Sequence, residues 1–251
     1  MNTLRTNKFK NLVKEKLPWV VPARRKLSMI RTYGKYYALI LLYRLRYPRE
    51  SVFCTIYKKH AWGGGESLSG GGSNLIQASA IMEAIPTLLR KIGARSVLDA
   101  PCGDFYWMSR LSLDVDSYIG MDIVPELIRE NQRKYETGTF HFIHADITRD
   151  ELPRVDLIIC RDCMVHFSYE DIFRCLCNFK KSGSTYLLAT TYPGLLKRNW
   201  NIVTGMWRPL DLQLPPFNFP GPIKLIEEEC AEATDYKEKS LALWRIENLP
   251  I

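Results

Sequence analysis

The chain has 251 residues, of which 46% are hydrophobic and 25% charged, and a formal net charge of +8. These proportions are typical of a globular protein and allow one sizeable α/β core with length left for an extension. The compact apolar run at 36–43 is too short to span a bilayer, which needs about 20 residues, and lies too far from Met1 to indicate a signal peptide.

The positive charge is concentrated near the N-terminus. Residues 1–60 contain fifteen Lys or Arg against Glu15 and Glu50, a balance of +13, while the remainder carries −5. Residues 1–56 are therefore interpreted as a basic N-terminal extension, helical around the apolar run. Two interpretations stay open for that helix, because it suits packing against the rest of the chain and also lying in an anionic membrane interface. A basic segment equally suits nucleic acid or another acidic polymer.

The cysteine pattern predicts reduced thiols. The seven cysteines lie mostly within apolar strand-like or helix-like stretches, which is typical of core-filling side chains in a cytoplasmic protein. Cys160 and Cys163 have the spacing of a zinc-ligand pair, but no second pair with matching spacing accompanies them. We therefore expect no metal site.

A glycine-rich stretch, GGGESLSGGG at 63–72, separates the basic segment from the next predicted helix. Residues 57–73 are interpreted either as a flexible linker or as a lid. Trp62, Glu66 and Ser67 place an aromatic ring and polar groups on this backbone, which makes them candidates for substrate contact.

Helix and strand patterns alternate after the glycines. Apolar residues at helical spacing predict a helix from Asn74 to about Gly93. Strands are predicted at 96–99, 117–122, 139–144, 156–160 and 186–191, with helices between them, one beginning near Pro125 and one capped by Ser168. Residues 223–229 and 241–246 predict two more strands. This alternation is typical of a doubly wound α/β sheet.

The first strand ends in an acid and enters a glycine-containing turn, in the sequence SVLDAPCGDFYWM. Asp122 ends the second strand, where an acid binds a ribose diol in nucleotide-binding α/β folds. Only Gly103 is available in the turn, whereas a dinucleotide site needs three glycines. Asp104 follows directly and would repel a diphosphate, so the turn favours a cationic ligand.

At these residues the chain resembles the class I S-adenosylmethionine-dependent methyltransferases. Their first motif is matched by Asp99, Ala100, Gly103 and Asp104, and their ribose acid by Asp122. The segments LDAPCGDFYWM, YIGMDIV, DLIICRDCMVHFS, TGMWRPLDL and PFNFPGP further resemble a small family associated with glycan modification, over roughly residues 57–250. The resemblance implies a Rossmann-like, doubly wound, mostly parallel seven-stranded sheet, a methyltransferase domain at 57–251 and S-adenosyl-L-methionine as the cofactor.

The resemblance also implies the cofactor-binding residues. Asp146 matches the acid that contacts the adenine amino group, and Ile123 and Ile147 would flank the adenine ring. Each acid alone also suits a strand-end or helix-capping role, but acids at three successive strand ends favour a ligand site. The predicted cofactor-binding residues are Asp99, Pro101, Gly103, Asp104, Trp107, Asp122, Ile123, Asp146, Ile147 and Arg161.

The fourth strand is followed by Asp162 and His166, four residues apart and so on one face of a helical turn. A hydroxyl acceptor loses its proton when it attacks a methyl group, and an imidazole serves as a general base near neutral pH. We therefore predict His166 as the catalytic base, with Asp162 orienting it or accepting a substrate hydroxyl. The alternative is that His166 caps or packs against the next helix.

Residues 192–222 form a long, aromatic and proline-rich segment, which predicts a substrate loop. Trp207, Arg208 and Asn218 combine a ring face with hydrogen-bonding groups, as carbohydrate sites do, although Arg208 also suits a phosphate or carboxylate and Trp207 also suits a core plug. The predicted function is O-methylation of a sugar hydroxyl of a glycan or its precursor. The alternatives are an RNA or small-molecule methyltransferase and a non-catalytic S-adenosylmethionine-binding module. Nucleic acid is less favoured, because Arg161–Met164 lacks the Pro-Pro-aromatic sequence of enzymes that methylate base amino groups.

Overall fold

The computed structural model describes residues 48–62, 65–228 and 237–251. The chain divides into two units, residues 1–48 and Arg49–Ile251. The predicted helix at 36–43 lies outside the described residues. The second unit begins at Arg49, and the helix at its start buries Val52 and Phe53.

The described residues form a seven-stranded sheet flanked by helices. Its strands are β1 (Ser96–Asp99), β2 (Ser117–Asp122), β3 (Phe140–His144), β4 (Leu157–Cys160), β5 (Tyr186–Thr191), β6 (Lys224–Glu227) and β7 (Ser240–Arg245). The strand order is β3-β2-β1-β4-β5-β7-β6. Strands β1 to β5 pair in parallel, and β7 pairs antiparallel with both β5 and β6. This arrangement confirms the predicted Rossmann-like, doubly wound fold.

The α-helices among the described residues are α1 (Arg49–Lys58), α2 (Leu75–Ile92), α3 (Pro125–Tyr135) and α4 (Tyr169–Lys181). Asn74 caps α2 by accepting from the backbone N–H of Gln77, and Gly93 ends α2 at φ 67°. Pro125 begins α3, and Ser168 caps α4 by accepting from the N–H of Asp171. Local capping chemistry therefore sets these helix boundaries, as the sequence predicted.

The core lies on both faces of the sheet. In β4, Leu157 and Ile159 pack into one hydrophobic cluster, and Ile158 and Cys160 into the other. This alternation follows from the strand geometry, which points successive side chains to opposite faces. The central strands are covered on both sides, so β4 is apolar throughout, and polar groups appear only where the strands end.

The thiols of Cys102, Cys160, Cys163 and Cys175 are buried and unpaired, whereas Cys177 is exposed. Within the described part of the chain, no three His, Cys, Asp or Glu side chains cluster as metal ligands. No helix in the described ranges is both long and apolar enough to cross a bilayer.

Candidate active site

A pocket lies at the carboxyl ends of β1, β2, β3 and β4, the edge where open α/β sheets bind ligands. Helix α1 and the glycine-rich segment, residues 57–73, form further walls. Of the residues predicted for the site, the lining contains Trp62, Asp99, Pro101, Gly103, Asp104, Trp107, Asp122, Ile123, Asp146, Ile147, Arg161, Asp162 and His166. Residues that sequence reasoning did not select also line it, among them Phe53, Ile56, Tyr57 and Phe167.

Two buried acids end the adjacent strands β1 and β2. Asp99 accepts a hydrogen bond of 2.5 Å from the Tyr118 hydroxyl, and burial raises the pKa of Asp99 to about 7. Asp122 accepts from the backbone N–H groups of Gly103 (3.1 Å) and Val124 (2.9 Å). Burial raises the pKa of Asp122 to about 6, although these backbone donors oppose the rise. The Asp122 carboxylate is thus fixed against the turn that follows β1.

Gly103 allows the glycine-rich segment to approach that turn. Its φ is +55°, in the left-handed region that favours glycine, and a Cβ on it would lie 2.2 Å from Oγ of Ser69. The hydroxyl of Ser69 accepts a 3.0 Å hydrogen bond from the N–H of Asp104. Glycine is therefore favoured at this position for two reasons, the left-handed backbone conformation and the close approach of Ser69.

Asp104 binds the glycine-rich segment to the turn after β1. Its carboxylate accepts hydrogen bonds from Oγ of Ser67 (2.9 Å), from the N–H of Leu68 (2.7 Å) and from Oγ of Ser69 (3.2 Å). Ser67 is buried by these contacts. The acid predicted to bind a cationic ligand is therefore bonded to the glycine-rich segment in this structure, and Ser67 bonds Asp104 and does not line the pocket.

Asp146, at the end of β3, is paired with a residue of α1. Its Oδ2 accepts from Nε of Arg49 at 3.0 Å, and its Oδ1 accepts from the N–H (3.0 Å) and hydroxyl (2.7 Å) of Thr148. Burial opposes ionisation, but the hydrogen bonds from Arg49 and Thr148 lower the pKa of Asp146 below its ordinary value. Arg49 was not selected from the sequence, where it belongs to the basic extension.

Four charged side chains meet at the end of β4. Nζ of Lys239 lies 2.7 Å from Oδ2 of Asp162 and 3.1 Å from Oε2 of Glu228. The Arg161 guanidinium donates to the same Glu228 oxygen (2.5 Å) and to the carbonyl of Gly72 (2.6 Å). Glu228 and Lys239 come from the β6–β7 region and were not predicted, because no local pattern marks a partner more than 60 residues away.

Asp162 does not orient His166 as predicted. Its carboxylate pairs with Lys239, and although burial opposes ionisation, Lys239 and Arg161 hold the pKa of Asp162 far below its ordinary value. The backbone of Asp162 adopts φ 49°, and its N–H donates to Oγ1 of Thr190 at 2.8 Å. A non-glycine residue in this region is uncommon and is found at functional sites, where surrounding contacts maintain it.

His166 is held by a backbone carbonyl and an aromatic ring. Its Nδ1 lies 3.0 Å from the carbonyl oxygen of Met206, and its imidazole stacks on the Trp62 indole with ring centroids 4.4 Å apart. A neutral imidazole that donates from Nδ1 has its lone pair on Nε2. Burial lowers the pKa of His166 below its ordinary value of 6.5, so the neutral ring dominates at pH 7. These are the properties that a general base needs.

Several predicted substrate residues lie outside the pocket lining. Arg208 is fully buried and donates to the carbonyls of Met164, Val165, Phe167 and Trp200, which corrects its predicted role in binding a phosphate or carboxylate. These bonds make it a scaffold for the 192–222 loop.

The remaining substrate candidates also differ in position. Glu66 accepts from the N–H of Leu75 and so caps α2. Asn218 is exposed at φ 51° and donates to the carbonyl of Pro216. Trp207 is 41% exposed and packs edge-on against Tyr192, directly after the residue whose carbonyl binds His166. Of these three, only Trp207 directly follows a residue, Met206, that contacts His166.

Comparison with known protein families connects the central part of this site to one activity class. Residues 97–182 match the family model described as a methyltransferase domain. Over 93 residues the chain is 28% identical to uncharacterised methyltransferases of Mycobacterium tuberculosis and Mycobacterium bovis. The match covers 36% of this chain and 45% of each relative, so the chain spans less than half the length of these relatives.

Solved structures share the fold. A SAM-dependent methyltransferase of Leishmania major has a TM-score of 0.56 at 15% identity, covering 76% of this chain and 82% of that one. The magnesium protoporphyrin IX methyltransferase of Synechocystis, solved with bound SAM, has a TM-score of 0.52 at 11% identity, covering 79% and 97%. At these identities the likeness concerns the fold.

Proposed function

We propose that this chain is an S-adenosylmethionine-dependent methyltransferase that methylates a hydroxyl, with a sugar of a glycan or glycan precursor as the acceptor. The observation that carries the proposal is the joint placement, in one pocket, of acids at three successive strand ends and a neutral histidine at the fourth. The match of residues 97–182 to a methyltransferase domain supports the reaction class.

The side chains of the pocket fit the cofactor chemically. Asp122 offers a carboxylate for a ribose diol, and Ile123 and Ile147 offer apolar surface for an adenine ring. Asp146 already accepts four hydrogen bonds from Arg49 and Thr148, so a contact with the adenine amino group would take the place of one of them. The acidic wall suits a ligand with a positively charged sulfur. When bound, S-adenosylmethionine supplies an electrophilic methyl group.

His166 is the proposed proton acceptor. Its Nδ1 is committed to the Met206 carbonyl, so Nε2 is the atom that takes the proton from an acceptor hydroxyl. The stacked Trp62 ring restricts rotation of the imidazole. A general base of this kind contributes about 10²–10⁴-fold to a rate, and correct positioning of the two reactants supplies much of the remainder.

The glycine-rich segment is proposed to act as the lid. It is tied to the turn after β1 through Asp104 and to the end of β4 through the bond between Arg161 and Gly72. These contacts support the lid proposal, because a segment bonded at both sides of the crevice is suited to excluding water from the reacting groups.

The acceptor class is supported by aromatic side chains around the base. Trp62 and Trp207 are 37% and 41% exposed. Trp62 stacks on His166, and Trp207 directly follows Met206, whose carbonyl contacts His166. Sugars bind by stacking an apolar ring face on an aromatic ring while polar groups take the hydroxyls. His166 and Asp162 are two of the polar groups in the pocket lining that could bond those hydroxyls.

Calorimetric titration tests the cofactor. We expect S-adenosylmethionine and S-adenosylhomocysteine to bind the wild-type protein and to bind Asp122→Ala and Asp122→Asn at least tenfold more weakly. Asp114→Ala is the matched control, because Asp114 is an exposed acid at the surface. If the folded wild-type protein gave no heat with either compound, the proposal would be wrong.

The acceptor is tested by methyl transfer from labelled S-adenosylmethionine. Oligosaccharides, RNA and small phenols are offered in parallel to wild type and to His166→Asn. Transfer to oligosaccharides that depends on His166 supports the proposal. Transfer to RNA that falls steeply with salt would instead identify a nucleic-acid enzyme.

The basic extension is proposed to bring the protein to an anionic membrane surface. Residues 1–56 contain thirteen Lys or Arg against Glu15 and Glu50, a balance of +11, and each basic residue near such a surface contributes about 1 kcal/mol. Co-sedimentation with phosphatidylglycerol vesicles, compared with phosphatidylcholine vesicles, tests it. Equal recovery with both would contradict membrane contact.

A further inference from the structure

Arg49 joins two buried acids on different elements. Its Nε and Nη2 lie 3.0 and 2.9 Å from Oδ2 of Asp146, at the end of β3, and its Nη1 lies 2.9 Å from Oδ1 of Asp171, in α4. The side chains of Asp146 and Asp171 are only 5% and 3% exposed. Ion pairs screened from water in this way are stronger than exposed pairs, and the planar guanidinium can bond both acids at once.

Helix α1, which carries Arg49, forms part of the pocket on the side of His166. Phe53, Ile56 and Tyr57 of this helix line the pocket, and the Phe53 ring lies 6.0 Å from that of Trp62. Removing the Arg49 contacts would therefore release a wall that touches the residue stacked on the proposed base.

A second contact connects α1 to the backbone that positions His166. A Cβ on Gly205 would lie 2.5 Å from Cγ1 of Val52, so α1 packs directly on this glycine. The N–H of Gly205 donates to the carbonyl of His166 at 2.8 Å, and the next residue, Met206, binds Nδ1 of His166. A shift of α1 would therefore affect both hydrogen bonds of His166, the one from the N–H of Gly205 and the one to the carbonyl of Met206.

Asp171 also connects Arg49 to the 192–222 loop, through Thr204. Its Oδ2 accepts a 2.5 Å hydrogen bond from the Thr204 hydroxyl, which in turn accepts from the N–H of Ser168 at 2.9 Å. One polar network therefore runs from the end of β3 through Arg49 to the loop and turn around His166.

We propose that Arg49 is a positioning residue that couples the cofactor end of the pocket to the acceptor end by holding α1 between Asp146 and Asp171. The proposal rests on the proposed function in that Asp146 belongs to the cofactor wall. Ligand binding against Asp146 fixes this carboxylate, and Arg49 transmits the ordering to α1 and to the groups that bond His166. Coupling of this kind needs a continuous physical connection with measurable consequences at both ends.

The test is hydrogen exchange of the α1 backbone amides in the full chain, with and without S-adenosylhomocysteine. In the wild type we expect S-adenosylhomocysteine to slow hydrogen exchange of the backbone amides in the last turn of α1. In Arg49→Gln we expect α1 exchange at least tenfold faster without ligand and no slowing with ligand, while β4 and β5 keep wild-type exchange. Arg49→Lys should recover only part of the protection, because an ammonium cannot bridge both acids as a guanidinium does.

Lys58→Gln is the matched control. It changes a residue of the same helix and removes an ion pair with Glu126 of α3, but the Lys58 side chain is 63% exposed, so wild-type exchange is expected. Asp171→Asn keeps the contact between Arg49 and Asp146, and it should give intermediate exchange even if Arg49→Gln fails to fold. Wild-type exchange of α1 in a folded Arg49→Gln, or in Asp171→Asn, would overturn the proposal.

The experiment separates this inference from the proposed function. If S-adenosylhomocysteine gives no heat with the wild type, the cofactor assignment and the ligand-dependent coupling are both wrong, while the ligand-free exchange still decides whether Arg49 positions α1. If the nucleoside binds but leaves α1 exchange unchanged in the wild type, the coupling is wrong and the proposed function stands.

Discussion

The indole of Trp62 stacks on the imidazole of His166 with a centroid distance of 4.4 Å and an interplanar angle of 28°. Trp62 lies in the glycine-rich segment, just after α1, whereas His166 follows β4, so the stack joins two segments that are about 100 residues apart in the chain. The stack shields the imidazole from water, in keeping with the lowered pKa of His166. A lid that carries this ring affects the base as well as access to the pocket.

Replacing His166 by Asn should lower methyl transfer about 10²–10⁴-fold with S-adenosylmethionine affinity retained, because the base acts on the acceptor proton and not on cofactor binding. Release of S-adenosylhomocysteine in the presence of acceptor measures the rate. His141→Asn is the control, since His141 is exposed and contacts Glu136. Parallel losses of binding and turnover would make His166 structural.

The lowered pKa of His166 gives a separate expectation. Because burial disfavours the imidazolium, protonation of His166 requires a pH below its ordinary pKa of 6.5, and the neutral base persists into mildly acidic solution. Imidazole NMR signals recorded against pH measure this directly. A midpoint for His166 at or above 6.5 would contradict the burial argument.

Gly103→Ala should detach the glycine-rich segment. The new Cβ would lie 2.2 Å from Oγ of Ser69, and a φ of +55° costs a non-glycine residue about 1–3 kcal/mol. We expect a lower free energy of unfolding and at least tenfold weaker binding of S-adenosylhomocysteine, measured by denaturant titration and calorimetry. Gly138→Ala is the control, since nothing lies within 4 Å of its added Cβ. Equal behaviour of the two variants would exclude the close contact.

Asp99→Asn should change the pH dependence of stability. The folded-state pKa of Asp99 is raised by burial to about 7, so between pH 4 and 7 the folded state binds more protons than the unfolded state. Wild-type stability is therefore greatest in acid with respect to this group and falls as pH rises, by about 4 kcal/mol over three units.

In Asp99→Asn that decline should largely disappear, leaving a smaller one from Asp122, whose pKa is raised to about 6. Denaturant unfolding at pH 5 and pH 8 measures the difference, and Asp114→Asn serves as an exposed control. A slope unchanged from wild type would show that Asp99 ionises normally.

Glu228→Gln should be strongly destabilising. Glu228 is fully buried and pairs with two cations, Arg161 and Lys239. Neutralising Glu228 leaves Asp162 as the one acid of this four-residue cluster against two buried cations. Removing one partner of a buried ion pair costs about 3–5 kcal/mol. Glu227→Gln, at an exposed neighbouring position, is the control.

A double variant distinguishes charge from packing at this cluster. Adding Lys239→Met to Glu228→Gln removes the excess cation, so the double variant should be more stable than the sum of the two single effects predicts. Additive effects, measured by denaturant unfolding, would mean that the charges act independently.

Features set by short-range patterns could be predicted from the sequence. The strand ends at Asp99 and Asp122, the Asn74 cap and the helix start at Pro125 all depend on neighbouring residues, and the structure has them where the sequence indicated. Hydrophobic periodicity and capping chemistry carry this information.

Features set by long-range pairing could not be predicted. Arg49 and Asp146 are 97 residues apart, and Arg161 and Glu228 are 67 apart, so neither pair leaves a local pattern. Arg208 was mistaken for a ligand group because a sequence does not reveal that four backbone carbonyls surround a guanidinium. The site residues themselves remain predictions until binding is measured.

The two cations at the end of β4 have a consequence for synthesis of the chain. Arg161 emerges with the fourth strand, but Glu228 and Lys239 follow only about 70 residues later. A growing polypeptide that has reached β5 therefore carries Arg161 beside Asp162 but not yet Glu228, the buried acid that the guanidinium bonds in the complete fold. At a translation rate of about 5–20 residues per second, this state lasts several seconds. The crevice thus acquires its final charge balance only after translation of the β6–β7 hairpin.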